Sequence, residues 1–194
     1  MDATSRSIWK IKRTNIKIET MTHRLQPALC LDLDGTVRRS KSDPEGFIKG
    51  VADIEIFPEM KKILPMYKQN GWLILGISNQ AGVAWGHKTP QQNDSEIVAT
   101  QSLTGNVFDV IKCCYHMKGA PHETYGFRSL LRKPDIGMLA LLEFECFQHG
   151  RMVDWDNSIF VGDREEDKGC AENAGIKFIW ANEFRSMPHT FEIG

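Results

Sequence analysis

Ala28-Leu29-Cys30-Leu31-Asp32-Leu33-Asp34-Gly35-Thr36 is the stretch whose reading decides the fold. It opens as an apolar run of the kind that forms a strand buried on both faces, and closes in two carboxylates and a glycine turn. Side chains alternate along a strand, so Asp32 and Asp34 leave its C-terminal end on the same side. Carboxylates that close repel each other unless a proton or a cation lies between them, and a hard cation such as Mg²⁺ is the natural partner. The competing reading is turn chemistry at a strand-to-loop junction. The rest of the chain decides between them.

Working outward, the pattern recurs. Trp72-Leu73-Ile74-Leu75-Gly76-Ile77 reads as a second buried strand that runs into Ser78-Asn79-Gln80-Ala81-Gly82. Val110 to Tyr115 is a third strand, Ser158-Ile159-Phe160-Val161 a fourth ending in Gly162-Asp163, and Lys177 to Trp180 a fifth. Between them the sequence predicts helices from Pro58 to about Asn70, over 91–109, from about Asp135 to His149, and from Glu166 to Ala174. Pro58 suits a first helical turn and Gly71 a C-terminal cap, whereas Pro65 predicts a kink or a break. In the 91–109 segment, Ile97, Val98, Leu103, Val107 and Phe108 mark the expected apolar face. Val37 to Asp53 is polar and reads as a loop or small flap.

Strands alternating with helices give an α/β fold, a doubly wound (Rossmann-like) parallel sheet with helices on both faces. Ligands of such sheets sit outside the carboxyl ends of the strands. Three strands here end in polar residues, Asp32/Asp34, Ser78/Asn79 and Asp163, and the fold rule brings them to one rim. That favours a site over turn chemistry. Asp32, Asp163 and Asp167, with the Asp34 carbonyl, offer oxygens suited to Mg²⁺. Ser78, the Asn79 backbone N–H and Lys133 suit phosphate oxygens, and a carboxylate can attack phosphorus.

The 194 residues suit one well-buried domain. A formal charge of −1 gives no global attraction to nucleic acid or membrane. Five cysteines in mostly apolar runs, with no secretory leader apparent, predict a reduced, cytoplasmic protein. No apolar run approaches the ~20 residues needed to span a bilayer. Residues 1–24 are basic and predict an extension, disordered or folded as a small hairpin, with the main domain covering 25–194. No Gly-x-x-x-x-Gly-Lys-Ser/Thr loop is present, which argues against a kinase.

The ordered set Asp32-Leu33-Asp34-Gly35-Thr36, Ser78-Asn79-Gln80, Arg132-Lys133-Pro134 and Gly162-Asp163-Arg164-Glu165-Glu166-Asp167 resembles the haloacid dehalogenase superfamily of phosphohydrolases. Asn79-Gln80-Ala81-Gly82-Val83 before Gly86, and Arg132-Lys133-Pro134 before Gly137-Met138, are similar to one subclass of it. That subclass holds histidinol-phosphatase, heptose-bisphosphate phosphatase and the phosphatase domain of polynucleotide kinase 3′-phosphatases. The resemblance spans about residues 28–181. It implies Asp32 as nucleophile, Asp34 as acid and base, and Ser78 and Lys133 on the phosphoryl oxygens. It also implies Mg²⁺ held by Asp32, the Asp34 carbonyl and Asp163, and Arg132 reaching the rest of the substrate.

Sugar-bisphosphate members often carry zinc on a Cys-x-His and a Cys-x-Cys pair. Cys114-Tyr115-His116 matches the first pair, but Ser129 and Leu131 stand at the second, so no structural zinc is expected. The short intervals between motifs leave no room for a large cap domain. An uncapped site suits a phosphorylated small molecule, or a DNA or RNA 3′ end that Arg38, Arg39 and Lys41 would contact. A non-catalytic phosphate-binding protein is the third reading. Nothing in the sequence sets the oligomeric state.

Overall fold

The structure, a computed structural model, describes residues 24–191. Five parallel strands form the central sheet: β1 (Arg24–Leu31), β4 (Leu73–Asn79), β5 (Val110–Cys114), β6 (Arg151–Gly162) and β7 (Lys177–Trp180), in the order β5-β4-β1-β6-β7. β2 (Arg38–Ser40) and β3 (Ile54–Ile56) pair antiparallel as a separate flap. The helices are α1 (Pro58–Gln69), α2 (Pro90–Leu103), α3 (Gly137–Gln148), α4 (Glu165–Ala174) and α5 (Ala181–Ser186).

Alternation along β1 builds two cores. Leu29 and Leu31 meet Met60, Ile63 and Leu64 of α1 and Phe184 of α5. Ala28 and Cys30 face the other way, onto Met138, Leu139 and Leu142 of α3 and Cys170 and Ala171 of α4. The expected doubly wound sheet is therefore what folds, and no large cap is present among the described residues. Each fully buried aliphatic side chain contributes about 1.5–3 kcal/mol by leaving water.

Several boundaries differ from the sequence reading. β1 starts at Arg24, which pairs with Arg151, so the last residue assigned to the basic extension belongs to the sheet. The hairpin expected further upstream lies outside the described residues. β6 runs twelve residues rather than four. Its polar Asp154, Asp156 and Asn157 hide it, because β1 shifts register there between Pro27 and Leu29 and Asp154 accepts bonds from Asn157. α1 continues through Pro65 without breaking.

α2 ends at Leu103 rather than 109. Thr89 and Gln92 form a reciprocal cap at its start, and Gly105 and Asn106, both at positive φ, turn the chain after it. Val107 and Phe108 are buried, but from the loop entering β5. The fully buried residues of α2 are polar rather than the expected apolar ones, of which Ile97 packs partly buried against the first core. Asn93, Glu96 and Thr100 are buried, while Val98 is 69% exposed.

One ionic cluster ties the base of the sheet together. Asp109 is 5% exposed, accepts the Ile74 N–H at 2.9 Å, and pairs with Lys68 at 2.6 Å and with Arg151. Burial opposes its charge, yet these partners hold the Asp109 carboxyl below its usual range. A carboxyl lowered in the fold stabilises above its unfolded pKa, and the gain disappears as pH falls through the folded value. Asp109→Asn should destabilise by about 1–3 kcal/mol at pH 7, the scale of charged hydrogen bonds, and the difference from the parent should shrink below about pH 4. Urea denaturation at the two pH values checks this.

Candidate functional site

The rim of the sheet is built where strands stop. β1 delivers Asp32 one residue past its end, and the Asp32 N–H still donates to the Val161 carbonyl at 3.0 Å, holding it beside β6. β4 ends in Ser78 and Asn79, and β6 passes into Asp163 at the start of α4. Lys133 arrives on the loop before α3, fastened to β4 by a reciprocal amide contact. Asn79 Oδ1 accepts the Lys133 N–H, and Asn79 Nδ2 donates to the Lys133 carbonyl, both at 3.1 Å. Asn79 thus uses its side chain to place the lysine.

Lys133 is 1% exposed and lies 2.5 Å from Asp32 Oδ1 and 2.6 Å from Asp167 Oδ1, and its ammonium also donates to the Ile77 carbonyl at 3.2 Å. Oxygens of Asp32, Asp163 and Asp167 all lie within 4.8 Å of one another. One ammonium cannot neutralise three carboxylates. Burial pushes the Asp32 carboxyl up to about 8 despite the pull of Lys133, with Asp167 and Asp34 adding to the rise. Burial and Asp167 push Asp163 upward as well. The donor set is all hard oxygen and short of positive charge, which fits a divalent cation such as Mg²⁺.

The three carboxylates are not equivalent. Asp167 is buried, and its Oδ2 accepts the N–H groups of Asp163 and Arg164 at 3.1 and 3.0 Å while Oδ1 faces Lys133. It shapes the β6–α4 turn. Asp163 has the most exposed side chain of the three, and its nearest cation, Arg164, stands 4.0 Å away. Gly35, at φ +89°, passes close by, and a Cβ there would run into Asp163 Oδ2. Gly35→Ala therefore displaces Asp163 and strains the backbone. A misplacement of ~1 Å can cost about 10²-fold, so any reaction carried out at this rim should slow on that scale in the variant, which a turnover assay of the two proteins measures.

Asp34 is set apart from this cluster. Arg38 Nε donates to its Oδ1 at 2.8 Å and Gln80 Nε2 to its Oδ2 at 2.5 Å. Burial alone would raise its pKa, but Arg38 and Gln80 outweigh burial and hold the carboxyl below its usual range. Gln80 Nε2 also reaches Ser78 Oγ at 2.8 Å. The sequence reading assigned Gln80 no role, although two-residue alternation puts it on the same side as Ser78. The sequence predicts that Arg38 contacts substrate, but its side chain is fully buried and bonded within the protein, so it cannot. Arg39, half-buried, pairs with Glu55 at 2.6 Å. Arg132 is half-buried and donates to the His116 carbonyl at 3.3 Å, which keeps it near the rim.

In the partial zinc motif, Cys114 Sγ and His116 Nδ1 lie 3.9 Å apart, and the rings of His116 and His122 both pack against Tyr125. Ser129 Oγ accepts the Leu131 N–H, and Leu131 packs against the second core.

The family model of the polynucleotide kinase 3 phosphatases matches residues 28–185, which include Asp32, Asp34, Ser78, Lys133, Asp163 and Asp167. The chain belongs to that family. A D-glycero-D-manno-heptose-1,7-bisphosphate 7-phosphatase of Chlorobaculum tepidum is 30% identical over 157 residues, covering 78% of this chain and 76% of the relative. The D-glycero-beta-D-manno-heptose-1,7-bisphosphate 7-phosphatase of Haemophilus ducreyi is 30% identical over 161 residues, covering 77% and 79%. The crystal structure of D,D-heptose 1.7-bisphosphate phosphatase from B. bronchiseptica, complexed with magnesium and phosphate, shares the fold. Its TM-score is 0.62, its identity 22%, and the match covers 79% of each chain. The protein is thus a phosphatase of the haloacid dehalogenase superfamily. No helix among the described residues is long and apolar enough to cross a membrane.

Proposed function

We propose that the chain is a Mg²⁺-dependent phosphomonoesterase acting on a phosphorylated small metabolite, a sugar or amino-alcohol phosphate, through an aspartyl-phosphate. The observation that carries this reading is the gathering of Asp32, Asp163 and Asp167 around the single ammonium of Lys133, beside Ser78. Asp32 and Asp163, with the Asp34 carbonyl, would hold the cation, and Asp167 would fix their positions. When bound, Mg²⁺ supplies charge neutralisation for the transferring phosphoryl group.

In the first step an Asp32 oxygen forms a bond to phosphorus as the bond to the leaving oxygen breaks, and that oxygen takes the proton of Asp34. In the second, Asp34 removes a proton from water, the water oxygen bonds to phosphorus, and the Asp32–phosphorus bond breaks. Asp34 rests as the carboxylate between Arg38 and Gln80 and takes up a proton from solvent as the phosphate dianion binds, because like-charge repulsion then favours the acid. When phosphate leaves, that proton returns to solvent and both carboxyl groups are as they began. Ser78 and Lys133 bind the phosphoryl oxygens, and Arg132 faces the remainder of the substrate.

Relatives named for sugar bisphosphates support the substrate class. The 3′-phosphatase reading draws on the family model. It loses support at the flap, where Arg38 is buried and Arg39 is paired with Glu55. The test is Mg²⁺-dependent phosphate release from sugar and amino-alcohol phosphates against a 3′-phosphorylated oligonucleotide. A kcat/KM favouring the small phosphates is expected, and preference for the oligonucleotide would reverse the assignment.

A further inference from the structure

Both oxygens of Asp34 belong to a closed circuit of polar contacts that passes through α2. From Oδ1 it runs to Arg38 Nε at 2.8 Å. Arg38 Nη1 then donates to Thr100 Oγ1 at 2.6 Å and to the Glu96 carbonyl at 3.2 Å, one turn apart on α2. The Glu96 carboxylate, 3% exposed, pairs with Lys88 at 2.6 Å. Lys88 Nζ lies 3.4 Å from Gln80 Oε1, and Gln80 Nε2 closes the circuit on Asp34 Oδ2 at 2.5 Å.

Cores rarely contain such groups. A buried guanidinium is expensive unless it is paired, and replacing such pairs by apolar side chains often stabilises a protein. Here Arg38 is fully buried, and its Nη2 has no acceptor among the described residues. The circuit makes no hydrogen bond to the side chains of Asp32, Lys133, Asp163 or Asp167, and it meets the rim through the side chain of Asp34, with Gln80 also reaching Ser78. Its two ends meet at a single carboxylate.

We propose that Arg38 and Glu96 are positioning residues for the acid and base Asp34, fixing its carboxylate from α2 in place of a cap. This rests on the acid–base reading of Asp34 given above. Arg38 is rigid and held at three points, so Oδ1 is the anchored oxygen. Gln80 is a neutral side chain, so Oδ2 is the oxygen that exchanges the proton with the leaving group and with water.

The test separates proton transfer from phosphorus chemistry. Breaking an alkyl phosphate requires a proton on the leaving oxygen, whereas 2,4-dinitrophenolate leaves without one. First-turnover release of alcohol or phenolate is measured for both substrates at saturating Mg²⁺, in the parent and in Asp34→Asn, Arg38→Gln, Glu96→Gln and Thr100→Val. General acid catalysis contributes typically ~10²–10⁴-fold, so Asp34→Asn should lose on that scale with the alkyl phosphate and little with the dinitrophenyl ester. Arg38→Gln should lose about 10–100-fold with the alkyl phosphate alone, and Glu96→Gln and Thr100→Val should lose less, with the same selectivity. Thr100→Val removes only one acceptor of Arg38, so it reports even where Arg38→Gln fails to fold. Equal losses on both substrates, or none, in the Arg38, Glu96 and Thr100 variants would overturn the positioning role. An Asp34→Asn that does not distinguish the substrates would instead remove the acid role of Asp34 itself.

Discussion

Asp32→Asn should reduce phosphate release by about 10⁵–10⁶-fold, the scale on which loss of a covalent nucleophile is felt, while leaving the fold at least as stable. The amide cannot form the acyl phosphate, and no other carboxylate shares its place. Asp34 is engaged by Arg38 and Gln80, and Asp167 by Lys133 and two backbone N–H groups. Stability moves the other way because Asp32 is a buried member of a group of three carboxyl groups that share one ammonium. Replacing it leaves Lys133 paired with Asp167, and the asparagine oxygen still accepts from it. A gain of about 1 kcal/mol in metal-free buffer is expected, the usual trade between a strained site and its activity. Added Mg²⁺ should stabilise the variant less than the parent, because a ligand stabilises only as far as it prefers the folded state. Single-turnover assays and thermal unfolding with and without Mg²⁺ measure all three. Retained turnover would end the nucleophile assignment, and a large drop in stability would end the charge argument.

Lys133→Met should do the opposite to the fold. It leaves Asp32 and Asp167 buried with no cation between them, the situation in which breaking a buried pair costs about 3–5 kcal/mol. Activity should fall to background at the same time, since Lys133 is proposed to hold a phosphoryl oxygen. Mg²⁺ should recover part of the stability by supplying the missing charge, without recovering turnover. Urea denaturation across a Mg²⁺ series gives the answer. A loss below about 1 kcal/mol would mean that the carboxylates take up protons and that Lys133 is not what keeps them charged.

The contrast between these variants also shows what the sequence could reveal. The rim was legible because each strand is a short apolar run with its polar residues immediately after it, so Asp32, Ser78 and Asp163 could be placed by the alternation of elements alone. Lys133 lies on a loop and was legible through the motif around it. The support behind the rim was not legible. Arg38 and Glu96 are charged residues in polar segments, which in sequence look the same as solvated surface. The only hint was that Asn93, Glu96 and Thr100 recur at i, i+3 and i+7, a polar stripe at the spacing of a buried face. The apolar Ile97 and Val98 drew attention away from it. β6 was hidden for a related reason, since its first half pairs with Arg24 to Pro27, which precede the apolar run that reads as the strand.

The flap of two three-residue strands bears on the fate of the phosphorylated enzyme. Among the described residues nothing of domain size closes over Asp32, so the intermediate in the proposed cycle stands within reach of small hydroxyl compounds, and water wins by abundance and by its fit beside Asp34. Glycerol or methanol at molar concentration should then be phosphorylated in competition with hydrolysis. The ratio of the two products would act as a gauge of how closely the flap and α2 confine the acceptor.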